Sequence, residues 1–112
     1  MTEAEFEIEV EKALRRIPLR FRKRLHNVSI VVEKEGPRRN LLGLYEGLGM
    51  LPDRITLFQK PIEREAKGPA DVPRVIAETL WHEIAHYFGM DERQVQSAER
   101  RRIFRRFRER LR

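Results

Sequence analysis

His82-Glu83-Ile84-Ala85-His86 constrains this chain more than any other stretch of it. Two histidines four positions apart stack one above the other only on a helix, because residues i and i+4 share a helical face. On that face both imidazoles can reach one metal ion, with the neighbouring glutamate beside them. The segment therefore predicts a helix with one side in a core and the other open to a cleft. At about 100° per residue, Thr79, His82, Glu83 and His86 fall on one side. Ala77, Leu80, Ile84 and Phe88 fall opposite. Asp71 is the expected N-cap of this helix, Pro73 is tolerated in its first turn, and Gly89 is a typical C′ stop.

The first residues set two periods against each other. Glu3, Glu5, Glu7, Glu9 and Glu11 alternate with Ala4, Phe6, Ile8 and Val10, as in a strand. Phe6, Val10, Ala13, Leu14 and Ile17 form a helical stripe instead. Thr2 with Glu5 makes a capping box, and Glu11 with Arg15 an i,i+4 pair, so the expectation is a helix ending before Pro18. Leu19, Phe21 and Leu25 suggest a short further turn. Val28–Val32, Leu42–Gly47 and Ile55–Phe58 read as strands, with Pro52-Asp53 as a turn and a helical turn over Ile62–Lys67. Asp91 and Gln94 form a second capping box before a C-terminal helix striped by Val95, Ala98, Ile103, Phe104, Phe107 and Leu111. The pattern is α+β: a small mixed sheet of about three to four strands with an N-terminal helix, the His82–His86 helix and a C-terminal helix.

Residues 1–112 suffice for a single domain and no more. There is no cysteine, so disulfides are excluded and any metal must be held by nitrogen and oxygen. The net charge of +6 resides in residues 99–112, the Arg-rich end of the C-terminal helix; residues 1–98 balance. An acidic N-terminus without an apolar stretch lacks the marks of a secretory signal, and no apolar run has the length of a membrane span. A cytoplasmic setting is expected. The arginines of residues 100–112 and the cluster Arg15–Arg24 raise a second possibility, a metal-dependent ribonuclease or RNA-binding protein. The apolar stripe of the C-terminal helix argues against it, since such a stripe docks on the body and leaves the arginines as a solvated face. A third possibility is an inactive module that keeps the fold and only binds.

Catalytic zinc takes three protein ligands and keeps one position open. His82 and His86 supply two, and Gly89 turns the chain so that a following residue can fold back. Glu92 is the favoured third ligand. Asp91 is its rival, although capping work competes for that carboxylate, and Glu99 and Glu109 are more distant rivals. His26 is expected on the surface beside the first strand. Glu83 is the candidate general base, taking a proton from water and passing it to a leaving amine. Tyr45 is a candidate oxyanion donor if its strand borders the cleft. The Leu42–Gly47 strand could hold an extended peptide by strand addition, with Gly43 and Gly47 giving clearance, although turn and bulge geometry explains both glycines equally well.

Three segments together resemble a family of small single-domain bacterial zincin-like metallopeptidases. They are Leu42-Gly43-Leu44-Tyr45-Glu46-Gly47, Pro52-Asp53-Arg54-Ile55-Thr56-Leu57 and His82 through Glu92. The family's motif ends in an acidic residue, usually aspartate, six positions after the second histidine, and Glu92 stands there. The resemblance implies a minimal zincin-like fold, a Zn2+ cofactor and hydrolysis of a peptide or protein substrate. No methionine follows Met90, so the Met-turn of metzincins is absent.

Overall fold

A computed structural model describes residues 1–47, 49, 51–89 and 93. Helix α1 spans Glu3–Arg15, α2 Leu19–Arg22, and strand β1 Val28–Glu33. Strands β2 (Gly43–Glu46) and β3 (Asp53–Phe58) follow, then α3 (Gln59–Glu65), a 3₁₀ turn (Pro69–Asp71) and α4 (Val72–Tyr87). The three strands form one mixed sheet in the order β1-β3-β2. Strand β1 runs parallel to β3, with Ile30 opposite Ile55, and β2 runs antiparallel to it, with Tyr45 opposite Ile55. Mixed α and β elements around a three-stranded sheet are the architecture expected from the sequence. The C-terminal helix expected from Asp91 onward lies outside the described residues.

The conflict over the N-terminus resolves as a helix. Glu5 N–H donates to Thr2 Oγ1 at 3.1 Å, and the reciprocal bond from Thr2 N–H completes the capping box. Arg15 pairs with Glu11 at 3.1 Å. Burial confirms the period: Phe6, Val10, Ala13 and Ile17 are buried, whereas Ile8, which a strand would turn to the same side as Phe6, is 51% exposed. After Pro18, α2 is held by Arg22, whose guanidinium donates to Arg15 O at 3.0 Å and so satisfies a carbonyl at the end of α1.

Helix α4 packs on α1 and on strands β2 and β3. Its buried side chains Ile76, Leu80 and Ile84 join Phe6, Ile55, Leu57 and Ile62 in one core. Each such side chain contributes about 1.5–3 kcal/mol when fully buried. That core anchors the length of α4 between Val72 and Ile84, so its wet face is carried on a rigid support. Phe21 closes the far side, meeting Trp81 edge-on at 5.0 Å. No helix among the described residues is long and apolar enough to cross a membrane.

Two local expectations are corrected. Asp53 opens β3 instead of closing a turn, because its N–H donates to Asn27 O at 3.0 Å and extends the parallel ladder. Asp71 stands at the N-cap of α4 but its side chain caps nothing. Its carboxylate instead accepts from Lys67 N–H at 2.9 Å and from Arg74 Nε at 2.7 Å. The guanidinium of Arg74 beside it holds the Asp71 carboxyl well below the usual carboxylate range. A strong charge-assisted partner outcompetes the backbone donors of the helix start. Gly89 behaves as expected: its φ of 91° is the left-handed stop after α4, with its N–H bonded to His86 O at 2.9 Å.

Candidate metal centre and active-site cleft

His82 and His86 lie one turn apart on α4, their ring centroids 5.2 Å from one another. A tetrahedral zinc with Zn–N bonds of about 2.0–2.1 Å would place two imidazole centroids about 5 Å apart. The pair fits such an ion, and imidazole nitrogen is a donor zinc accepts readily. Among the described residues no group of three His, Cys, Asp or Glu side chains could hold a metal. The third ligand expected from the sequence, Glu92 or its rival Asp91, lies outside the described residues. Glu99 and Glu109 do as well. His26 is exposed, as expected.

Both histidines line a cleft of about 660 Å³ together with Glu83 and Thr79. The cleft face read from helical spacing is therefore the cleft face of the folded chain. Glu83 is only 8% exposed although it lines this cleft. Its cover comes from β2. A Cβ built on Gly43 would lie 3.2 Å from Glu83 Cγ and 2.8 Å from Thr79 Cγ2. The missing side chain of Gly43 thus lets β2 press against the cleft-lining face of α4. The clearance at Gly43 is used by the chain's own helix. At Gly47 space remains, the nearest atom being Tyr45 Oη at 3.5 Å.

Strand β2 is an edge of the sheet among the described residues. Phe58 N–H donates to Leu42 O at 2.9 Å, which sets the phase of the ladder. Hydrogen-bonded residues alternate along an antiparallel strand. Leu42, Leu44 and Glu46 therefore turn their backbone groups to β3, and Gly43 and Tyr45 turn theirs outward. Those two residues also line the cleft.

Tyr45 borders the cleft, as an oxyanion donor must, but its proton is committed elsewhere. Its hydroxyl donates to Asp53 Oδ2 at 2.6 Å, and this bond raises its pKa to about 12. Asp53 is the residue that the reading of β3 as starting later missed. The ring of Tyr45 also meets that of Tyr87 edge-on at 6.1 Å, which ties β2 to the end of α4. Tyr45 is therefore placed to hold β2 against α4. An unfolded tyrosine titrates near 10, so the folded state keeps a proton that the unfolded state loses between about 10 and about 12. Stability is present in full below the lower value and falls as pH rises through that window. Melting temperatures recorded across it should decline less steeply for Tyr45→Phe than for the wild-type chain; equal slopes would refute this role of the bond.

Arg38, Glu65, Arg74 and Glu78 also line the cleft. Arg74 and Glu78 were legible in principle, since they precede His82 by two turns and one turn. Arg38 and Glu65 arrive from other elements, and no local pattern announces them.

The model of the zincin-like metallopeptidase family matches residues 25–102, which includes all three strands and the whole of α4. No curated protein matches the chain. The family is one of metal-dependent peptidases, the metal usually being zinc. The match covers well over half of the chain, and the chain belongs to the zincin-like metallopeptidases.

Proposed function

We propose that residues 1–112 form one cytoplasmic zinc peptidase domain, with Glu83 as general base and His82, His86 and Glu92 as the metal ligands. The observation that carries this reading is the joint placement of His82, Glu83 and His86 on the wall of one cleft. When bound, zinc supplies Lewis acidity, making water more acidic and a substrate carbonyl more electrophilic. His82 and His86 would hold it from the rigid face of α4. The Glu83 carboxylate takes a proton from the attacking water and returns it to the leaving amine. Its burial under Gly43 keeps bulk water from competing for that proton. An extended peptide pairs with the outward backbone groups of Gly43 and Tyr45, with Gly47 leaving room at the strand's end. Tyr45 keeps its proton in the bond that it donates to Asp53, so the tyrosine orients β2 and does not stabilise the oxyanion.

Metal content and cleavage of an unfolded protein substrate test the reading together. Protein purified without chelator should carry about one zinc per chain and cleave; adding a chelator should stop cleavage and zinc should restore it. Glu92→Ala should lose the metal while Asp91→Ala keeps it. Retention by Glu92→Ala with loss by Asp91→Ala would move the third ligand to the rival, and a metal-free, chelator-insensitive peptidase would overturn the proposal.

A further inference from the structure

The cleft continues past the catalytic residues towards the N-terminal end of α4, where it meets the loop between β1 and β2. Arg74 lies nine residues before Glu83, about 13 Å along the helix at 1.5 Å per residue. An extended peptide covers that distance in about four residues. The end of the cleft is charged. Arg74 is already engaged by Asp71 and by Glu78 at 3.0 Å. Arg38 also lines the cleft, and its guanidinium makes no hydrogen bond or ion pair among the described residues.

The loop that carries Arg38 is held firmly. Arg64 of α3 donates to both carboxylate oxygens of Glu35, at 3.3 and 3.0 Å, and to Arg39 O at 3.1 Å. Lys60 N–H donates to Lys34 O at 3.0 Å, and Leu41 N–H to Arg38 O at 3.2 Å. The hydrogen bond from Arg64 holds the Glu35 carboxyl below its usual range. These bonds bracket Arg38 on both sides, so its backbone is fixed while its side chain is uncommitted. An exposed arginine held in this way matches a planar, bidentate carboxylate. Glu65, at the end of α3, lines the same cleft, and its charge opposes an incoming anion.

Resting on the peptidase reading of the cleft, we propose that Arg38 is a specificity-determining residue that binds a carboxylate of the peptide substrate. Its site lies in the same cleft as Glu83, on the loop between β1 and β2. The carboxylate is that of an acidic side chain or of the peptide's C-terminus.

Binding to the Glu83→Gln protein tests this without turnover. The probes are fluorescent ten-residue peptides of alanine and leucine with both ends blocked, carrying one glutamate or one glutamine near either end. A third set has an unblocked C-terminal carboxylate. Rim ion pairs are worth roughly threefold to fivefold in affinity at low salt, so the glutamate or free-carboxylate peptide should bind tighter than its neutral counterpart by about that factor. Whichever set shows the preference identifies the source of the carboxylate. Arg38→Ala should abolish it and Arg38→Glu should reverse it. Arg20→Ala removes the same charge from an exposed site that does not line the cleft, and should leave it intact. Glu65→Gln should strengthen it. A preference that survives Arg38→Ala, or no preference in the Glu83→Gln protein, overturns the proposal. Because binding needs no cleavage, a preference found in a chain that never cuts would leave this site standing while the peptidase reading fell.

Discussion

Glu83→Gln is expected to keep its metal and lose turnover by about 10²–10⁴-fold, the usual contribution of a general base. Glutamine matches glutamate in size, so the buried position under Gly43 remains filled and the fold is undisturbed. What disappears is the ability to accept a proton from water. His82→Ala and His86→Ala should behave differently, losing metal and activity together, because each removes one of the proposed ligands. Metal content measured beside kcat separates the two roles. Turnover by Glu83→Gln within tenfold of the wild type would mean that another group serves as base.

Gly43→Ala is the second change with a large expected effect, and it lies off the motif. The added methyl would stand 2.8 Å from Thr79 Cγ2, 3.2 Å from Glu83 Cγ and 3.2 Å from Thr56 O. Backbone of β3 blocks retreat on one side, and Thr79 and Glu83 of α4 block it on the other. Overpacking of this kind costs about 1–3 kcal/mol, which lowers the melting temperature by about 4 °C per kcal/mol in a chain of this size. Relief by moving β2 away from α4 would uncover Glu83, and relief by moving Glu83 would misplace the proposed base. A misplacement of about 1 Å can cost about 10²-fold in rate. Thr79→Ser removes the Cγ2 that makes the closest contact, so the double variant should recover part of both losses. Additive effects in that cycle, or a Gly43→Ala protein with unchanged melting and turnover, would show that β2 does not set the position of Glu83.

Alkaline stability bears on the same wall of the cleft. Tyr45 and Gly43 act from one strand on two ends of one helix face, the first through Asp53 and Tyr87, the second through its missing side chain. Damage to either should loosen β2 against α4. Only Tyr45 does so in a way that titrates.

Much of the architecture was legible because it is local. The capping box at Thr2, the exposed Ile8 within a buried stripe, and the stop at Gly89 all follow from neighbours within one turn. Competition between partners obscured Asp71: a cap and an arginine pair are both good uses of a carboxylate, and only the folded geometry of Lys67 and Arg74 chooses between them. The same holds for Tyr45, whose hydroxyl has a partner eight residues away across a ladder. Arg38 had no signal at all, since its place in the cleft depends on Arg64 holding its loop against α3.

The sequence by itself determined the helix that bears His82, Glu83 and His86 and which of its sides is wet. Helical spacing is a property of the backbone, and residues i and i+4 need no distant contact to share a face. Tertiary structure alone decided what stands opposite that face. The order β1-β3-β2 places β2 at the edge beside α4, and its register sets Gly43 over Glu83. Those contacts join residues from 8 positions apart, as Glu46 and Arg54, to 40 apart, as Gly43 and Glu83, and they arise from packing a whole core, which no local pattern encodes.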